Sequence, residues 1–382
     1  MLPQGFKYAS CCAKIKNETV TKDDLGLIVC EDEAILSGVF TTNTFKAAPV
    51  VIGMQQARAG KARAVIANSG NANACTGEAG LEAARAVMQA IGRELNIDAE
   101  LVVPMSTGVI GVSLPCERIV ASVPELISKL GNDIDGFATA ILTTDTVKKI
   151  SRRQVGDATV LGMAKGSGMI APNMATTLAV VLTDARIAKA ELDRIVRSAI
   201  EYTFNAVTVD GDTSTNDTLL ALSSNKVEAD AVALESAMRE VIRDLAIMIV
   251  RDGEGATKLA EIRVTGAATE RDAKTIAMSV AKSPLVKTAL FGEDPNWGRI
   301  LAAVGYSGVE LRPEEVSFTI GGLKVVEAGR QAAEFDEQRC HAILQQPEYV
   351  IAIEVGDGPA GFTVWTTDFS YDYVKINADY RT

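Results

Sequence analysis

Apolar positions repeat along this chain with two periods. Leu81, Ala84, Val87, Met88 and Ile91 share one face of a helix, and Ile119, Val120, Val123, Leu126 and Ile127 share another behind Pro115. Leu192, Ile195, Val196, Ala199 and Ile200 form a third face, and Leu234, Met238, Val241, Ile242, Leu245 and Ile249 a longer fourth. Residues 269–281 predict a further helix. Short apolar runs between polar turns predict strands at 27–30, 38–40, 49–52, 63–68, 101–103, 156–163, 178–182, 261–264, 316–320, 349–355 and 362–367, and a polar tail, 373–382, closes the chain. Strands and helices come in clusters rather than in strict alternation, which predicts an α+β fold of layered sheets flanked by helices. The expected division falls near residue 260, with a catalytic part at 1–260 and a smaller C-terminal α/β subdomain at 261–382.

The loops at the strand ends hold the chemistry. Residues 165–184 read KGSGMIAPNMATTLAVVLTD: a glycine-rich turn, then Pro172, Asn173 and two threonines, Thr176 and Thr177, at the mouth of a buried strand. The strand at 63–68 ends in Ser69-Gly70-Asn71-Ala72-Asn73, which suits either a ligand loop or a turn that caps the next helix. The strand at 101–103 runs into Ser106-Thr107-Gly108, a hydroxyl and a backbone N–H of the kind that hold an oxyanion. Residues 138–146 end in a hydroxyl-rich stretch, Thr143-Thr144-Asp145-Thr146. The acidic stretch from Asp210 to Asp217 lacks the glutamate that closes an EF-hand, so it reads as a polar loop around a site rather than a calcium loop.

Composition narrows the chemistry. The only histidine, His341, lies far from any such loop, so neither a histidine base nor a histidine zinc site is expected. The six cysteines are scattered without a C-x-x-C pair and read as reduced thiols; Cys11 and Cys12 read as two partly buried small residues rather than a reactive pair. A net charge of -11 and the lack of any basic run argue against a nucleic-acid partner. No signal-peptide pattern or membrane-length apolar segment is present, and a cytoplasmic protein is expected.

With histidine set aside, Thr176 offers another route. A threonine that begins a chain can be deprotonated by its own α-amine, whose pKa lies near about 7.7–8.0. That requires the Ala175–Thr176 bond to break first, by attack of the Thr176 hydroxyl on the Ala175 carbonyl and hydrolysis of the resulting ester. Local features alone do not separate this from a threonine pair that merely opens a strand, with Lys165 solvated.

Several long motifs in order resemble the glutamate N-acetyltransferase, or ornithine acetyltransferase, family, the arginine-biosynthesis bifunctional proteins. They are residues 165–176, 106–111, 143–146, 204–213, 252–257, 294–299 and the C-terminal end. The resemblance spans nearly the whole chain. It implies a fold of the N-terminal-nucleophile hydrolase type and self-cleavage between Ala175 and Thr176, giving α and β chains that stay together as an α2β2 heterotetramer. It implies Thr176 as nucleophile, Thr107 and Gly108 as oxyanion hole, and substrate binding by Thr143, Lys165, Thr176, Glu254, Asn377 and Thr382. The implied reaction moves an acetyl group from N-acetylornithine to glutamate, with no metal and no cofactor, and with acetyl-CoA admitted as a second donor. Two other readings remain at this stage: an N-terminal-nucleophile amidase or aminopeptidase, and an uncleaved, non-catalytic binding protein.

Overall fold

The computed structural model describes residues 1–171 and 177–379. The chain opens with β1 (Phe6–Cys11) and β2 (Leu25–Phe40), followed by α1 (Ala48–Ala59), β3 (Lys61–Asn68), α2 (Gly77–Leu95), β4 (Val102–Ser106), α3 (Cys116–Ser128) and α4 (Ile134–Ala140). A hairpin of β5 (Lys149–Val155) and β6 (Ala158–Lys165) comes next. It is followed by β7 (Leu178–Ala185), α5 (Lys189–Glu201), the short β8 (Val207–Thr208), β9 (Thr218–Val227) and α6 (Ala231–Arg251). The remainder holds β10 (Leu259–Ala267), α7 (Glu270–Lys282), α8 (Pro284–Phe291), α9 (Trp297–Gly305), β11 (Ser317–Ile320), β12 (Leu323–Glu327) and β13 (Arg330–Gln331). It ends with α10 (Glu337–Leu344), β14 (Glu348–Glu354), β15 (Ala360–Thr367) and α11 (Tyr371–Asp379).

The strands form two mixed sheets flanked by helices, the layered α+β arrangement expected from the pattern. One sheet runs β4-β3-β2-β9-β7-β6-β5, with β1 also paired to β2; the other runs β13-β12-β11-β14-β10-β15-β8. Among the described residues only β8 joins the second sheet from the part of the chain before β10. Helix α6 packs against β5 and β6 of the first sheet and β15 of the second. Its long apolar face, from Leu234 to Val250, is therefore buried in a core cluster that includes residues of both sheets. Gly162 in β6 permits this approach: a Cβ there would sit 2.5 Å from a Val241 methyl.

Two strand expectations are corrected. Residues 49–52 belong to α1, not to a strand. The β-branched run Val50-Val51-Ile52 suggests a strand, but Pro49 sits in the first turn of a helix, where its missing N–H costs nothing. Residues 27–30 and 38–40 are the two halves of the single strand β2. Its exposed Glu31-Asp32-Glu33 resembles a turn in sequence, and the structure absorbs it with a register shift against β3 between Val29 and Ala34. The tail left unassigned in the sequence is largely helical, as α11. Among the described residues no helix is long and apolar enough to cross a membrane.

Candidate active site

β6 and β7 are antiparallel neighbours with Lys165 directly opposite Leu178, so the stretch between them, residues 166–177, connects one strand pair. Ala175 and Thr176, together with Thr382, lie outside the described residues. Asp210 accepts the N–H groups of Met169 at 2.7 Å and Ile170 at 2.9 Å, while Asp217 accepts that of Thr177 at 3.0 Å. The carbonyl of Ile170 receives Val209 N–H and that of Thr177 receives Thr218 N–H, both at 2.8 Å. The acidic loop therefore holds residues 169–170 and residue 177 of this connection.

A cavity opens beside this connection. Thr107, Gly108, Thr143, Lys165, Glu254 and Asn377 all line it, together with Ala72, Ile110, Thr144, Gly168, Met169 and the loop residues Ser214, Thr215 and Asn216. The structure thus brings together every described residue among the sequence-predicted site positions. Five separate parts of the chain supply them: the end of β4, the loop before β5, the end of β6, the turn after α6, and α11.

Thr107 and Gly108 suit an oxyanion. Lys165 Nζ donates to Thr107 Oγ1 at 3.3 Å, so that hydroxyl acts as acceptor and keeps its own hydrogen for another partner. The Gly108 N–H has no hydrogen-bond partner among the described residues. Gly108 has φ +134, and a Cβ there would lie 2.4 Å from the Gly70 carbonyl carbon; only glycine fits against the 69–73 loop. That loop is tied to its neighbours by its asparagines: Asn71 Oδ1 accepts Asn73 N–H at 2.7 Å, Asn71 Nδ2 donates to Ser113 O at 3.1 Å, and Asn73 Nδ2 donates to Gly80 O at 2.9 Å. It reaches the site through Ala72, whose carbonyl accepts from Asn216 Nδ2 at 2.6 Å.

Lys165 is buried, only 3% exposed, so the solvated alternative does not apply. Burial pulls its pKa down, opposed by the charges of Asp145, Glu254 and Asp217 and reinforced by Lys149. Asp145 Oδ2 stands 3.9 Å from the Lys165 ammonium. Glu254 Oε2 accepts from Asn377 Nδ2 at 2.9 Å, which ties α11 to the cavity. Gly168 makes room for that carboxylate, since a Cβ there would come within 2.5 Å of Glu254 Cδ. Thr143 and Thr144 both line the cavity, but Thr144 Oγ1 is paired with Ser167 Oγ at 2.7 Å. Thr143 has no such side-chain bond among the described residues, so its hydroxyl is the one open to a ligand.

Sequence reasoning missed Asp145, Lys149, Asp210 and Asp217 as individual residues. Burial pushes the Asp210 carboxyl up to about 6 despite its backbone hydrogen bonds. Burial likewise drives Asp217 well above the ordinary carboxylate range, against the pull of Thr177 N–H and Lys165. Asp217 Oδ2 and Thr177 Oγ1 are both buried without a hydrogen-bond partner among the described residues. The only sequence signal for the pair Asp145 and Lys149 is their four-residue spacing, which starts in the hydroxyl-rich stretch and ends beyond it. His341 is remote from all of this, donating from Nδ1 to the Glu293 carbonyl at 2.8 Å. The six cysteines are unpaired, and burial pushes the Cys11 thiol up to about 12, which leaves it a poor nucleophile.

Comparison with known proteins agrees with the motifs. The ArgJ family model matches residues 7–382. The chain is 46% identical to the arginine biosynthesis bifunctional protein ArgJ of Geobacter sulfurreducens, over 99% of each chain. It is 45% identical to the protein of the same name from Caldanaerobacter subterraneus, over 100% of this chain and 98% of that one. Among solved structures, arginine biosynthesis bifunctional protein ArgJ from Bacillus halodurans is 38% identical, with a TM-score of 0.49 over 52% of this chain and 96% of that one. Ornithine acetyltransferase from Mycobacterium tuberculosis, complexed with ornithine, is 37% identical, with a TM-score of 0.40 over 44% of this chain and 92% of that one.

Proposed function

The chain belongs to the ArgJ family of arginine-biosynthesis bifunctional proteins, and from that membership we propose that it moves the acetyl group of N2-acetyl-L-ornithine to L-glutamate through Thr176, after cutting itself before that residue. The observation that carries the reading is convergence. Six positions named from distant motifs line one cavity, beside the connection that contains Ala175 and Thr176.

The proposed chemistry has two stages. First, Thr176 Oγ1 attacks the Ala175 carbonyl, the peptide C–N bond breaks, and water hydrolyses the ester to leave a free Ala175 carboxylate and a free Thr176 amine. That amine then takes the hydroxyl proton as Oγ1 attacks the acetyl carbonyl of N-acetylornithine. Thr107 Oγ1 and Gly108 N–H stabilise the oxyanion, the proton passes to the departing ornithine nitrogen, and Thr176 holds an acetyl ester. The glutamate amine attacks that ester and leaves as N-acetylglutamate. Ornithine and glutamate both carry an α-carboxylate, which the Lys165 ammonium binds. Glu254, oriented by Asn377, faces the substrate ammonium group.

Strand order explains how the fragments stay together. The second fragment contributes β7 and β9, which lie side by side in the first sheet between β2 and β6 of the first fragment. Separation would therefore require tearing open a sheet on both sides. Association as α2β2 is part of the same proposal.

Lys165→Ala tests the binding assignment. Loss of a hydrogen-bonded charge is worth about 1.5–3 kcal/mol, so KM for both acetylornithine and glutamate should rise roughly 10- to 100-fold. Unchanged KM values for both substrates would remove Lys165 from the scheme. Running the assay with acetylornithine or acetyl-CoA as the only donor identifies the donor. Acetate release unaffected by glutamate would point to a hydrolase instead.

A further inference from the structure

We propose that Asp145 positions Lys165 for the substrate carboxylate, holding its ammonium in the cavity and tying it through Lys149 and Asp252 to the turn that carries Glu254. The inference rests on the reading of Lys165 as the carboxylate-binding group and deepens it.

The geometry is a buried chain of alternating charges. Asp145 Oδ1 accepts from Lys149 Nζ at 2.8 Å and from the N–H of Gly166, the residue after Lys165, at 2.6 Å. Asp145 Oδ2 accepts the Thr143 N–H at 3.1 Å and lies 3.9 Å from Lys165 Nζ. One carboxylate thus fixes the backbone beside Lys165, the backbone of the cavity residue Thr143, and the Lys165 charge. Lys149 Nζ continues to Asp252 Oδ2 at 2.5 Å, and Asp252 also accepts the Thr146 N–H at 3.0 Å. Glu254 follows Asp252 by two residues. The side chains of Asp145 and Lys149 are wholly buried and that of Asp252 nearly so.

Burial disfavours the Asp145 carboxylate, but the charges of Lys165 and Lys149 and the hydrogen bonds from Lys149 and the Gly166 N–H outweigh it and hold the group down to about 2. Asp145 is therefore ionised at neutral pH. Lys165 has the opposite problem, because burial favours its neutral form. The charged groups that act on it are Asp145 from the loop before β5, Lys149 from β5, Glu254 from the turn after α6, and Asp217 from the entrance of β9; Asp145 is the largest favourable influence. A neutral lysine cannot hold a carboxylate as an ion pair. Without Asp145, Lys165 should lose its proton at lower pH.

The test is the pH dependence of kcat/KM for acetylornithine in the wild type, Asp145→Asn, Asp252→Asn and Lys165→Ala. Activity should fall on the alkaline side as Lys165 deprotonates. Asp145→Asn should move that limb to lower pH by about 1–3 units and raise KM more than it lowers kcat. Asp252→Asn breaks the same network without facing Lys165, so it should lower the unfolding midpoint yet leave the limb in place. An unmoved limb in folded Asp145→Asn, or an equal shift in Asp252→Asn, overturns the proposal. Unchanged KM values in Lys165→Ala would instead refute the reading on which it rests. Should Asp145→Asn fail to fold, Asp145→Glu decides: it keeps the charge but displaces it, so the limb should stay while KM rises, and an unchanged KM overturns the proposal.

Discussion

Thr176→Ala is expected to accumulate as a single species of 40.4 kDa and to lose acetyl transfer by roughly 10⁴-fold or more. Both effects follow from one missing hydroxyl. Without it nothing attacks the Ala175 carbonyl, so the α-amine at residue 176 is never freed; without the amine and the hydroxyl no acetyl ester forms. The cavity walls come from other parts of the chain, so binding should survive: acetylornithine should still raise the unfolding temperature of the variant. Thr176→Ser keeps the hydroxyl and should still cleave. A Thr176→Ala chain that splits at the same bond, or retains wild-type turnover, would exclude Thr176 as nucleophile. Intact mass and a glutamate-dependent acetyl-transfer assay read the two effects separately.

Lys149→Met should produce the largest loss of stability. The ammonium is wholly buried and bridges Asp145 at 2.8 Å and Asp252 at 2.5 Å, so its removal leaves the two carboxylates without the charge between them, and Asp145 with only Lys165 3.9 Å away. Breaking a buried pair in this way costs about 3–5 kcal/mol, read as a lower urea midpoint at constant slope. The pH dependence identifies the cause. Asp145 has a depressed pKa in the folded state, so its contribution is fully present above its unfolded value, near about 3.9, and is lost as pH falls through about 2. The gap between wild type and variant should be widest at neutral pH and close as acid protonates Asp145. A gap independent of pH would mean that packing, not charge, is what Lys149 supplies.

What could be read from the chain depended on whether the signal was local. Helices α2, α5 and α6 were legible because each buries one regular apolar face. Helix α11 buries no residue, so it has no stripe to detect, even though it delivers Asn377 to Glu254. Residues 49–52 misled because three β-branched side chains outweighed the proline that starts α1. The site motifs were legible as motifs, and Thr107, Gly108, Thr143, Lys165, Glu254 and Asn377 do converge. Their setting was not. The fold sets Asp145, Glu254 and Asp217 around the buried Lys165 from three other segments, and no sequence spacing encodes that. Likewise Asp210 and Asp217 looked like part of a polar loop, whereas their partners are backbone N–H groups some forty residues earlier in the chain.

In the proposed mechanism the acetyl group travels on Thr176 of a chain cut at the Ala175–Thr176 bond. Intact mass of the wild-type protein, taken before and after mixing with N-acetylornithine, tests it most directly. Two fragments are expected, residues 1–175 and 176–382, with the second gaining one acetyl group on mixing and losing it again when glutamate is added. A single unlabelled species at 40.4 kDa that nonetheless transfers acetyl groups would contradict it.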